Sequence, residues 1–285
     1  MLPKWLLICA TKPEWSGLKK HLYFEKDHTF HGLNFFRAET DGTAPLAPQV
    51  PQGGTASPPR ALRSAKKEIL LGQIGVGYEI AERKAHTIFH LFAHPHTKSF
   101  GEGVNRPQMV IHFGLSGALR ENLKEGDLIL PTGIVNADKQ PVVLSPDLIQ
   151  KGKILLKSLN LSAIGGNLFT SAKVLSSPTL KKKAGEDFGA IAVDMETWPF
   201  ARECQNAGIP FLSIRAIWDT LDWDLSEKPE CGLLDEEGNL RTARVLGCAL
   251  AHPRLLFSLP KYQAAMTKGN RAITRFLMEA IKKWE

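Results

Sequence analysis

Residues 189–220 read GAIAVDMETWPFARECQNAGIPFLSIRAIWDT, and the arrangement of the rest of the chain turns on this stretch. Ala190–Val193 is a short apolar run suited to a buried strand, and Pro210–Ile217 is another. Between them, Glu196–Ala207 has the composition of a helix that stops at Gly208. Strand, helix and strand in this order predict a βαβ crossover with parallel strands, whose ligands collect beyond the carboxyl ends. Charge gathers at those ends: Asp194 and Glu196 close the first run, and Arg215 and Asp219 sit in or just after the second. A helix cap or a solvated rim accounts for one such acid. Three acids and an arginine on one rim point to a site.

Two carboxyl groups in a crevice suit a nucleoside. An ionised carboxylate offers two acceptor oxygens to the vicinal hydroxyls of a ribose. A protonated one can donate to a leaving group such as a purine base. The segments VDMET (193–197) and IRAIWD (214–219) resemble the VEMEA and VRAISD signatures of the nucleoside phosphorylase and methylthioadenosine/adenosylhomocysteine nucleosidase superfamily. Further matches follow outward along the chain. CATKPEW (9–15) is similar to the nucleosidase turn GAMEEEV, and MVIHFGLSGAL (109–119) resembles the small-residue turn GSAGGL. EGDLILP (125–131) resembles the strand KVGDIVV, and NLFTSAKVL (167–175) resembles VSGDAFI. The resemblance implies an α/β fold, a three-layer α/β/α sandwich around a central mixed twisted sheet, built as one domain over residues 1–285.

Carried over position by position, the resemblance also implies roles. Asp219 would protonate the purine, while Glu14, with Arg215, would position and deprotonate the attacking water. Glu196 would hold the ribose hydroxyls, with Met195 packed on the sugar. Val174 and Leu175 would flank the base, and Gly114, Leu115 and Ser116 would line the turn against the ligand. Two departures bear on the nucleophile. His112 stands where hexameric phosphorylases have Arg, Leu115 stands where they have Ser, and their GDP-x-R loop is absent. A phosphate dianion needs charge-assisted donors, so water is the expected nucleophile. Phosphorolysis stays open, because Ser116 or Arg215 could compensate. Trp218 replaces the small Ser of the related RAISD motif, and an indole filling the base site would leave a catalytically silent nucleoside-binding protein.

The remaining sequence bounds these expectations. With 285 residues, 43% of them hydrophobic, the chain has room for one sizeable α/β core. Its net charge of +7 is spread out and no nucleic-acid module is visible. Cys9, Cys204, Cys231 and Cys248 form no CxxC pair, which suits reduced thiols in a cytoplasm. Trp5–Ala10 is too short for a secretory apolar core and reads as the first strand. His86, His90, His94 and His96 lack a nearby acidic partner, so neither a metal nor an organic cofactor is expected. A hairpin is expected over 29–38, and a flexible Pro/Gly-rich excursion over about 39–64. A second hairpin over 136–143 precedes a helix from Ser145 through Leu159.

In the tail, a helix is expected from Arg241 and another from about Pro260. DEEGN (235–239) followed by VLGCALAHPRLLFSLPKYQAA (245–265) resembles the hopanoid-associated phosphorylases, which are linked to removing adenine from adenosylhopane. A homodimer is the expected assembly. No run approaches the roughly 20 apolar residues of a membrane span. The tail is expected to pack against the sheet as a terminal helix; the sharper alternative is peripheral membrane contact, with Leu255, Leu256, Phe257 and Leu259 partly outward and Arg254 and Lys261 near anionic headgroups.

Overall fold

The computed structural model describes residues 4–30, 33–40, 67–93, 106–224 and 254–284. Apolar runs make its centre. Strand β1 (Lys4–Cys9) lies between β4 (Lys67–Gln73) and β5 (Met109–Ala118), parallel to both, with Trp5–Cys9 buried. Near-continuous hydrophobic strands of this kind are covered on both faces. The first expected hairpin forms β2 (Glu25–Phe30) and β3 (Leu33–Thr40), and β3 extends the sheet antiparallel to β4.

The other side of β5 is built differently. Strands β6 (Leu128–Val135), β8 (Ala163–Thr170), β9 (Ala190–Asp194) and β10 (Phe211–Asp219) join it in the order β5-β9-β8-β6-β10, and β10 pairs back onto β5. The sheet therefore closes a circuit at this end. The short β7 (Pro141–Val143) pairs with β6 as the expected second hairpin.

Helices cover the sheet and complete three layers. On one side α2 (Tyr78–Ala93) packs against α5 (Thr197–Ala207). Against β5, β6 and β10 lies the long α6 (Arg254–Lys283), with α1 (Lys12–Trp15) and α3 (Pro146–Ser158) beside it. Its buried Ile273, Phe276, Leu277, Ala280 and Ile281 recur at helical spacing, the stripe of an amphipathic helix. Finally, α4 (Pro178–Asp187) packs on β9.

One sequence expectation is corrected. Residues 189–220 form strand, helix and strand, but not a parallel βαβ unit. β9 pairs antiparallel with β5, whereas β10 pairs parallel with it, so β9 and β10 run in opposite senses on either side of β5. Periodicity identifies each strand but not its neighbour, which is set by closure of the circuit. The acids still converge, because Val193 and Asp219 both register on Gly117. The small-residue stretch 114–118, expected as a turn, is likewise extended strand held from both sides.

Several expectations fall outside the described residues: most of the 39–64 excursion, His94, His96, Cys231, Cys248 and the helix from Arg241. The last helix starts at Arg254 rather than near Pro260, and the side chains of 254–262 lie outside the description. No described helix is long and apolar enough to cross a membrane.

Candidate active site

The site is assembled around the carboxyl half of β5, where two glycines admit side chains from other elements. A Cβ at Gly114 would lie 2.5 Å from Glu14 Oε1 and 2.7 Å from Arg215 Nη1. One at Gly117 would lie 2.8 Å from Asp219 Oδ1. Any larger residue would push these groups off the strand. Along β5 the two positions are three residues apart, about 10 Å of strand.

Glu14 owes its place to α1. Its Oε2 accepts from Thr11 N at 2.8 Å in a capping box, and its Oε1 accepts from Leu115 N at 3.1 Å. Leu115 thus contributes its backbone to the site. Burial raises the Glu14 carboxyl above its ordinary value, opposed by the Arg215 charge and the backbone donors. Such a group is suited to taking up a proton.

Arg215 is fully buried and rests on Asp194, with Nη2 2.7 Å from Asp194 Oδ2. Nη2 also donates to Thr197 Oγ1 and lies 2.9 Å from Nδ1 of His112. Burial, then the Arg215 charge, hold the His112 imidazole well below its usual range, so a neutral ring faces the guanidinium. Arg215 Nη1 and Nε and the buried Ser116 Oγ have no hydrogen-bond partner among the described residues. Asp194 accepts from Thr170 Oγ1 at 2.8 Å, from Thr197 N at 3.2 Å and from the Thr197 hydroxyl. Its job is the ordinary one: it caps α5 and neutralises Arg215.

Glu196 stands at the junction of β9 and α5. Its Oε1 accepts from Gly77 N at 2.9 Å and its Oε2 from Met195 N at 3.3 Å. Burial, followed by the neighbouring Asp194 charge, pushes its carboxyl from 4.5 up to about 8. Met195 beside it is half-buried.

Asp219, at the far end, forms a buried ion pair with Lys181, Nζ to Oδ2 at 2.5 Å. Lys181 also donates to the carbonyls of Thr220 at 2.8 Å and Trp223 at 3.1 Å. Trp218 is the bulged residue between Ile217 and Asp219 in the β10 register, and its half-buried ring meets Trp223 edge-on at 6.3 Å. Val174 is 62% exposed, and Leu175 packs beside Leu119, Phe169 and Val193. An open recess of about 770 Å³, lined by Arg120, Asn122, Lys182 and Asp222 among others, lies beside Thr220. None of Glu14, Glu196, Arg215 or Asp219 lines it, so the recess is not where the convergent acids lie.

Sequence reasoning brought Glu14, Gly114, Leu115, Glu196, Arg215 and Asp219 to one strand end but missed Lys181, Thr197 and Gly77. Lys181 opens the run KKK, which reads as a solvated face. Its one signal is helical spacing to the small Ala184, the other buried residue of α4. Gly77 closes IGVG (74–77), and a lone GxG is a weak signal by itself.

A fold of this topology has relatives. The family model of the phosphorylase superfamily matches residues 7–247, and the chain belongs to that superfamily of enzymes. Among solved structures it is similar to futalosine hydrolase of Helicobacter pylori strain 26695, with a TM-score of 0.67, 17% identity and coverage of 99% of this chain and 98% of that one. The 5′-methylthioadenosine/S-adenosylhomocysteine nucleosidase of Helicobacter pylori matches with a TM-score of 0.66 and 17% identity over 98% of each chain. S-adenosylhomocysteine nucleosidase of Streptococcus pyogenes, bound to 5-methylthiotubericidin, matches with a TM-score of 0.64 and 18% identity over 97% of this chain and 96% of that one. At such identities the likeness is one of fold.

Proposed function

We propose that this enzyme hydrolyses the N-glycosidic bond of a purine nucleoside. The observation that carries this reading is the set of buried acids at the carboxyl half of β5: Glu14 with Arg215 at Gly114, Asp219 at Gly117 on the other face of the strand, and Glu196 close enough to Glu14 for their charges to interact. Glu14 takes a proton from water whose oxygen bonds to the anomeric carbon. The bond from that carbon to the base breaks, and Asp219 donates a proton to the departing purine. Glu196 accepts from the ribose hydroxyls and Met195 packs on the sugar. Arg215 faces the negative charge of the attacking oxygen, so the charge changes of the transition state meet groups already in place.

Phosphorolysis is the second reading, and the unpartnered Arg215 Nη1 and Ser116 Oγ favour it as donors for an anion. Against it, the Arg215 charge is already matched by Asp194, His112 is neutral, and a dianion would sit beside Glu14. The resemblance of 235–265 supports adenosylhopane as the substrate, with a lipid tail on the 5′ carbon. Incubation with methylthioadenosine, adenosylhomocysteine, inosine and adenosylhopane, with and without phosphate, tests all of this by base release. We expect release that does not depend on phosphate. Strict phosphate dependence would replace hydrolysis by phosphorolysis, and ligand binding without release of any base would leave a binding protein.

A further inference from the structure

The mechanism above gives Lys181 no part, yet it is among the most costly residues in the fold. An ammonium out of water demands compensation. Here the side chain is 1% exposed, and its three donors are matched by Asp219 Oδ2, Thr220 O and Trp223 O. The two carbonyls belong to the segment directly after β10, so α4 grips both the carboxyl group and the backbone that presents it. The neighbouring Lys182 and Lys183 are exposed, which separates Lys181 from the surface charge of the same run.

We propose that Lys181 is a positioning residue for Asp219, and that its charge stabilises the carboxylate left when Asp219 gives its proton to the departing base. The inference rests on the hydrolytic reading above. In that step Asp219 enters protonated on Oδ1, with Oδ2 accepting from Lys181; the Oδ1–H bond and the glycosidic bond break, an N–H bond forms on the purine, and the charge left on Asp219 restores the ion pair with Lys181. Lys181 is already 2.5 Å from it and needs no reorganisation. Through the same contact it fixes Oδ2, leaving Oδ1 over Gly117 on the strand.

The test is a double-mutant cycle on the best purine nucleoside substrate, using Lys181→Gln, Asp219→Asn and the double variant. Gln keeps a donor for the Thr220 carbonyl and removes the charge. Lys181→Gln should lower kcat about 10²-fold, on the scale of losing one preorganised electrostatic contact, with KM near wild type. In the double variant kcat should fall no further than in Asp219→Asn alone. Wild-type kcat in Lys181→Gln, or losses that multiply in the double variant, would overturn the inference while leaving hydrolysis standing. Should Lys181→Gln fail to fold by circular dichroism, Lys181→Arg takes its place. Retention of more than a tenth of wild-type kcat supports the charge role, and a loss that multiplies with Asp219→Asn refutes it. A wild type that releases no base removes both proposals together.

Discussion

Glu196 carries the most informative proton of the site. Its carboxyl is pushed from 4.5 to about 8 by burial and by Asp194, with Arg215 and the Gly77 N–H opposing and Glu14 adding a little. Between those values the folded chain holds a proton that the unfolded chain has lost, so this group's contribution to stability is full below 4.5 and lost as pH rises through about 8. Glu196→Gln should flatten that decline, as read from urea midpoints across the range. Under the proposed function the same proton bears on ligands, since only an ionised carboxylate can accept from both ribose hydroxyls. Nucleoside affinity should therefore improve as pH rises towards about 8 and should lose this dependence in Glu196→Gln, measured by calorimetry. Glu14 separates from it by role. Glu14→Gln should stop turnover and leave nucleoside binding intact, whereas Glu196→Ala should weaken both. Equal losses of ribose affinity in the two variants would contradict the division.

At the scale of elements, Asp194 ties four of them together: its own strand β9, Thr170 at the end of β8, the start of α5 through Thr197, and β10 through Arg215. Asp194→Ala leaves a fully buried guanidinium without its counter-charge. The expected loss is about 3–5 kcal/mol in chemical unfolding, the usual cost of breaking a buried pair from one side. A loss below about 1 kcal/mol would mean that water reaches Arg215, as at an exposed pair. On β5, Gly117 does a different job. Its missing side chain lets Asp219 lie against the strand, and Gly117→Ala would set a methyl group 2.8 Å from Oδ1. A misplaced acid costs about 10²-fold in rate. We expect that fall in kcat with a smaller change in KM, from steady-state kinetics.

For the whole molecule, the circuit β5-β9-β8-β6-β10 brings residues from opposite ends of the chain to one place. Glu14 enters from the first strand and its helix, and Asp219 from the last strand. The amphipathic α6 covers the back of β5 and β10, so a tail-borne membrane contact would sit on the layer that supports the site. Flotation with anionic liposomes examines the lipid-substrate reading. Protein that stays wholly in the aqueous fraction and prefers methylthioadenosine to adenosylhopane would remove it, leaving a nucleosidase for soluble substrates.

Local sequence was enough for the elements themselves. Apolar runs give β1, β4, β5, β9 and β10, Ser145 caps α3, and Gly208 ends α5 in the left-handed region at φ 60°. Motif resemblance found the acids at their ends. Strand partners were not legible, because the period of two says which face a residue takes and nothing of which strand lies beside it. Hence β9 and β10 were expected side by side and lie on opposite flanks of β5. Chemistry followed the same division. The resemblance gave Glu196 and Asp219 separate expected roles and Asp194 none, and only packing shows what each carboxyl group rests on. Asp194 became a cap and counter-ion, Glu196 was buried into holding a proton, and Asp219 was paired with Lys181. That lysine looks like surface charge in its run of three, because an ion pair 38 residues apart in sequence exists only once α4 and β10 have closed over it.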